Sequence, residues 1–328
     1  MTKNNWLFFK VKAKQILPRI LLNMVKKIVK PPLIQQYKSK KKLEKIKEKK
    51  SVNARELIDD LTKLGLEKGM KVMVHSSLPG IGYVDGGAHT VINVLLGIIG
   101  SEGLLIMPCP PISGSTVEAL TKKDVFDLKT TPCTTGIICE TFRKWPGVVR
   151  SYHPTHSIAA YGKDAKWLVK DHHLDDTPFG MNSPFARLVD IDGYILGIGL
   201  DTRWITFYHH FEDINEHFPI NIYSGDKYKI PVIIEDDSQI IVSTPHHDSI
   251  VSSIRLNNDP ETFKIIDDAL TEYGKINRAT IGHGLGYLTK ANKITYTLDK
   301  ILKNNNQTIY NMSLLQKLKP EAIKVFSL

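Results

Sequence analysis

The chain has 328 residues, 42% hydrophobic and 24% charged, an ordinary globular composition with room for one large α/β domain or two smaller ones. Its formal charge of +10 is local: residues 1–50 hold 16 Lys and Arg against Glu44 and Glu48, while the remainder carries 28 basic and 32 acidic groups, a balance of −4. A slightly acidic body with a basic arm excludes a chain built throughout as a nucleic-acid binder and suits a cationic substrate. Cys109, Cys133 and Cys139 are odd in number and lack CxxC spacing. They argue against a disulfide framework or zinc finger and read as small buried hydrophobes in a reducing, cytoplasmic compartment. No apolar run reaches the roughly 18 residues of a membrane span, and no signal-peptide pattern opens the chain.

Residues 1–50 divide at Pro31-Pro32. The first half sets Trp6, Leu7, Phe8, Phe9 and an ILLNMV cluster among spaced Lys residues, the pattern of a helix on an anionic membrane surface or of an extra helix packed on the body. The second half is a charge run without an aromatic platform, so nucleic acid is not expected as a partner. From Ser51, which can cap, Leu57, Leu61 and Leu64 recur at helical spacing towards Gly69. KVMVHSSL then reads as a buried strand, PGIGYVDGG as a turn, AHTVINVLLGIIG as a helix and SEGLLIMPCP as a second strand. This alternation predicts a layered α/β/α domain with a central mixed sheet over residues 51–328, preceded by the basic helical arm. Beyond it, TGIICETFRKW, ETFKIIDDALTEYG and GYLTKANKITYTLDKILKN read as helices, and YKIPVIIED and SQIIVST as further sheet.

Chemistry concentrates between Arg150 and Asp213, a stretch holding six of the twelve His together with Asp175-Asp176 and Glu212-Asp213. Titratable side chains at the ends of apolar elements are the pattern of an acid/base site. His75, Ser76 and Ser77 close the first strand, and Gly86-Gly87 precede a helix whose free N–H groups suit an anion or a carbonyl oxygen. The loop fits neither GxxxxGK[ST] nor GxGxxG. Plainer roles stand beside these. His153 and His156 can brace a strand entrance, and Asp175-Asp176 can cap a turn. A cluster of His and acids also suits a metal-dependent hydrolase, although HExxH is absent.

VMVHSSLPGIGYVDGGAHTVINVLLGIIGSEGLLIMP, RSYHPTHSIAAYG, HHLDDTPFGMNSPFARL and DGYILGIGLDTRWITFYHHFED resemble, in order and spacing, the motifs of the aminoglycoside 3-N-acetyltransferase family. The resemblance covers roughly residues 52–300 and leaves the arm outside. It implies direct acetyl transfer from acetyl-CoA to an amine of an amino sugar or aminoglycoside. On that pattern His172 is the general base, with His173 a rival one residue away, and Glu212 is its carboxylate partner. Ser76, Ser77, Gly86, Gly87 and Thr90 fall on the cofactor side, and Asp175, Asp176 and Asp213 on the acceptor side. No metal is implied. Trp204, Phe207 and Tyr208 add aromatic bulk that is expected to reshape the acceptor pocket. The basic amphipathic arm suits an amino-sugar acceptor of surface-polysaccharide assembly. A non-catalytic member that binds membrane or polysaccharide is the alternative.

Overall fold

The computed structural model describes residues 51–111 and 125–324; the arm, and the membrane contact expected of it, lie outside the described residues. In chain order the helices are α1 (Ala54–Leu64), α2 (Leu78–Ile81), α3 (Gly87–Ile99), α4 (Ile137–Arg143), α5 (Ala165–Val169), α6 (Pro184–Asp190), α7 (Tyr208–Ile214), α8 (Ser249–Ser253), α9 (Pro260–Glu272), α10 (Ala291–Asn305) and α11 (Met312–Leu318). The strands are β1 (Lys71–Ser76), β2 (Leu104–Pro108), β3 (Phe126–Asp127), β4 (Val149–Arg150), β5 (Ile158–Gly162), β6 (Tyr194–Ile198), β7 (Tyr223–Ile233), β8 (Gln239–His247), β9 (Asn277–Ile281) and β10 (Gly284–Lys290).

Seven strands form the central sheet in the order β4-β5-β2-β1-β6-β10-β9. β1 runs parallel to β2 and β6, and the outer pairs are antiparallel, so the sheet is mixed as expected. Alternation sorts its side chains between two cores. Val72, Val74, Leu105, Met107, Leu196 and Ile198 pack with α1, α3 and α4 on one face. Met73, Leu104, Ile106, Ala160 and Ile195 pack with residues of α9 and α10 on the other. A period of two along each strand therefore yields a sheet covered on both sides. Burying each Leu, Ile or Val contributes about 1.5–3 kcal/mol. β3, β7 and β8 make a separate three-stranded sheet with a small core of its own around Val232 and Val242.

Local signals differ from expectation in three places. Asn53, not Ser51, caps α1, through a capping box with Glu56, and Gly65 in the left-handed region ends the helix before Gly69. GLGYLTK is strand β10 rather than the start of a helix: Gly286 pairs with Ile198 across the sheet, and the helix begins only at Ala291. β9 pairs with β10 at the sheet edge, where exposed Asn277, Arg278 and Thr280 hide the apolar alternation that marks a strand.

Candidate active site

The parallel strands β1, β2 and β6 end together beneath a cleft of about 940 Å³, the usual position for a ligand site in an open α/β sheet. His75, Ser76 and Ser77 line it from β1, Pro108 from β2, Thr135 and Cys139 from the α4 side, and Gly199, Asp201, Trp204 and Thr206 from the segment after β6. Its floor needs glycine: a Cβ on Gly80 would lie 1.7 Å from the Gly199 carbonyl oxygen. Ser77 Oγ accepts from Gly80 N–H at 3.3 Å and caps α2. His75 Nε2 accepts the Thr206 N–H at 3.1 Å, and burial lowers its pKa to about 4.

The other loop residues expected on the cofactor side are used differently. Gly86 (φ 74°) and Gly87 (φ 61°) make the left-handed turn into α3. Thr90 Oγ1 donates to the Asp85 carbonyl at 2.5 Å and lines a separate groove between α1 and α3. Of the aromatic residues, Phe207 and Tyr208 are core side chains, the latter with its hydroxyl on the Thr202 carbonyl at 2.9 Å. Trp204 alone of the three is exposed, at 59%, on the cleft.

Behind the cleft, the motif segments meet at α7. His172 is fully buried. Its Nε2 lies 2.8 Å from the Pro178 carbonyl, which can only accept, so this nitrogen carries the proton. Its Nδ1 lies 2.8 Å from Ser151 Oγ and must accept there. No lone pair remains for an incoming amine, and burial lowers its pKa to about 3. Glu212 is not its partner. Three residues apart on one face of α7, His209 Nδ1 and Glu212 Oε2 lie 2.6 Å apart. His209 Nε2 faces Arg255 Nη1 at 2.5 Å. Arginine has only donors, so Nε2 accepts and Nδ1–H donates to Glu212. Glu212 Oε1 has no hydrogen-bond partner among the described residues. Burial raises the Glu212 pKa to about 8 and holds His209 well below the usual imidazole value.

The acidic residues part company as well. Asp213 is largely buried and ties elements together: it accepts the Phe179 N–H at 3.2 Å and the Tyr223 hydroxyl at 2.9 Å, and burial raises its pKa to about 7. His210 Nδ1, on the same helix, donates to the Phe179 carbonyl at 2.7 Å. Asp175 accepts from the backbone and side chain of Asn182 at 2.7 and 2.8 Å and so braces a turn. The Asp176 side chain is 93% exposed and pairs with Lys227. His173 is half-buried against Tyr152, with ring centroids 5.2 Å apart, and burial lowers its pKa.

Two contributors were not singled out from the sequence. His247 of β8 stacks on Tyr223 and lies 4.7 Å from the His209 ring, joining His153, His156, His172 and His209 in a buried array of imidazoles. Arg255 follows α8. The pattern HHD at 246–248 was the available signal for His247; none marked Arg255. The ligand atoms of His209, Glu212 and His247 lie within 4.8 Å of one another, a spacing that also suits a metal ion.

Several motif residues turn out to hold backbone. Arg150 donates to the carbonyls of Thr131 (2.6 Å) and Cys109 (2.9 Å) and to Ser157 Oγ (3.0 Å). Arg187 donates to the Leu168 carbonyl at 3.1 Å and to that of Lys170.

Comparison with known proteins agrees with this architecture. The family model described as aminoglycoside 3-N-acetyltransferase matches residues 73–303. Aminoglycoside N(3)-acetyltransferase VII of Streptomyces paromomycinus is 32% identical over 73% of this chain and 87% of its own length. The SPbeta prophage-derived aminoglycoside N(3')-acetyltransferase-like protein YokD of Bacillus subtilis is 35% identical over 47% of this chain, an alignment that spans 62% of YokD. Among solved structures, aminoglycoside acetyltransferase AAC(3)-Xa superposes with a TM-score of 0.68 at 27% identity, covering 82% of this chain and 98% of that one. No described helix is long and apolar enough to cross a membrane. The chain belongs to the aminoglycoside 3-N-acetyltransferase family: it is an N-acetyltransferase, and acetyl-CoA is its co-substrate.

Proposed function

We propose that this chain acetylates an amino group of an aminoglycoside or related amino sugar by direct transfer, with His209 as general base and Glu212 as the carboxylate that orients it. The His209–Glu212 hydrogen bond of 2.6 Å carries this reading. Among the described residues it is the one buried imidazole whose second nitrogen already accepts from a cation, the guanidinium of Arg255. An acceptor ammonium that displaces Arg255 would make the same contact. It would pass its proton to Nε2, and Glu212, which ionises as pH rises through about 8, would in that form stabilise the resulting imidazolium. The freed amine attacks the thioester carbonyl, the C–S bond breaks, and the nitrogen gives its second proton to the departing thiolate, so the amide forms and coenzyme A leaves as the thiol. In the cleft, the hydroxyls of Ser76 and Ser77 and the rim ring of Trp204 are suited to the thioester arm and to a sugar face.

The basic, aromatic arm supports a second clause. An acceptor carried at an anionic membrane surface would suit residues 1–50, as in surface-polysaccharide assembly. Deletion of these residues should abolish sedimentation with anionic liposomes while turnover of a soluble acceptor persists; retained sedimentation removes the clause. The reading as a whole is tested by release of coenzyme A thiol from acetyl-CoA with a panel of aminoglycosides and amino-sugar nucleotides. Release that depends on the amine, and that drops on Glu212→Gln, supports it. Release indifferent to every amine, or unchanged in Glu212→Gln, refutes it.

A further inference from the structure

The three cysteines, dispersed over 31 residues of sequence, converge in space. Their sulfurs all lie within 4.8 Å of one another, and the side chains are 0%, 8% and 4% exposed at Cys109, Cys133 and Cys139. They arrive from three different elements. Cys109 follows the end of β2, where its N–H donates to the Ser157 carbonyl at 2.7 Å. Cys133 sits in the loop before α4, its N–H held by Glu140 Oε2 at 2.7 Å, and Glu140 is in turn gripped by Arg143. Cys139 lies on α4, its thiol donating to the Pro108 carbonyl at 2.8 Å. The three backbones are thus fixed independently of any contact between the sulfurs.

We propose that Cys109, Cys133 and Cys139 form a three-thiolate site for a soft d10 cation such as zinc or cadmium, built into the wall of the cleft. Zinc–sulfur bonds of about 2.3 Å place tetrahedral sulfurs about 3.8 Å apart, so small side-chain rotations close the group around an ion. The donor set is all sulfur, which selects soft cations over magnesium or calcium. Thr135 Oγ1, 2.9 Å from Cys133 Sγ, lines the cleft, as does Cys139, so the trio borders the open space. Three thiolates around a divalent ion leave one net negative charge, and the buried guanidinium of Arg150, bonded to the Cys109 carbonyl, lies beside it.

The test uses the full chain, reduced under anaerobic conditions, with three free thiols first counted in denaturant. Titration with cadmium should develop a thiolate-to-metal charge-transfer absorption that saturates at one equivalent. The band should persist in Glu212→Gln, which alters the nitrogen-and-oxygen group at α7, and Cys133→Ser should weaken cadmium binding at least 100-fold. X-ray absorption of the zinc-loaded wild type, which needs no variant, should give three sulfur neighbours at about 2.3 Å. No charge-transfer band at one equivalent, or fewer than three sulfur neighbours to zinc, overturns the proposal.

Discussion

The cleft above β1, β2 and β6 and the imidazole array behind it are joined by one segment, Asp201 to His209, yet their environments oppose each other. The cleft is open and lined by hydroxyls and one exposed indole. The array is desolvated: burial lowers the pKa of His153, His156, His172, His209 and His247, so all five are neutral at pH 7. An open polar surface can bind a large, flexible cofactor. A dry group of neutral imidazoles can hold a base in one tautomer. The second task costs stability, because neutral buried histidines resist acid poorly.

The largest effect belongs to the array. His209→Ala should lower kcat by about 10²–10⁴-fold, the usual contribution of a positioned general base, with acetyl-CoA affinity little changed. Steady-state kinetics beside calorimetric binding separate the two.

The array should also set the pH limits of stability. The five histidines have folded pKa values below the unfolded 6.5, so the unfolded state takes up protons first and stability falls as pH drops below 6.5. Glu212 (about 8) and Asp213 (about 7) have raised folded values and act in reverse, gaining stability as pH falls and losing it as pH rises through those values. At about 1.4 kcal/mol per group and pH unit, the net loss between pH 6.5 and 5 is on the order of 4 kcal/mol per unit. Denaturant midpoints across pH 5–9 should peak near neutrality; a flat profile breaks the account of a neutral array.

Two smaller effects probe the cleft side. Trp204→Ala should raise the acceptor KM by about 2–10-fold, the value of one aromatic stacking contact, with Tm unchanged because the ring is exposed. Asp176→Asn should change neither Tm nor turnover, because its ion pair with Lys227 is solvent-screened; a loss of activity would place the acceptor over that surface instead.

Much of this was legible in the sequence, for physical reasons. Strands buried on both faces write continuous apolar runs, and KVMVHS and LLIMP became β1 and β2 where expected. A helix and a strand that share a chain direction without a turn residue do not announce their junction, so GYLTK reads as helix from its neighbours although it is the end of β10. The site was read less well because residue type does not reveal partners. The His172–Asp176 neighbourhood looks chemical in one dimension, but Ser151 and Pro178 occupy both imidazole nitrogens. His209 and Glu212 needed only helical spacing to be paired. Arg255 and His247 reach α7 from 46 and 38 residues along the chain; HHD at 246–248 marks His247 as a polar site without pointing to its partner, and no local pattern marks Arg255.

The most direct test sets the two histidines against each other. Amine-dependent coenzyme A release should be measured at saturating acetyl-CoA for wild type, His209→Ala and His172→Ala, each at pH 7.5 and well below its melting temperature. The account predicts that His209→Ala retains its fold and loses turnover. His172→Ala should lose about 3 kcal/mol of stability, as a deleted buried ring does, and keep most of its kcat while folded. A His209→Ala enzyme that turns over at the wild-type rate, beside a folded and inactive His172→Ala, would contradict it.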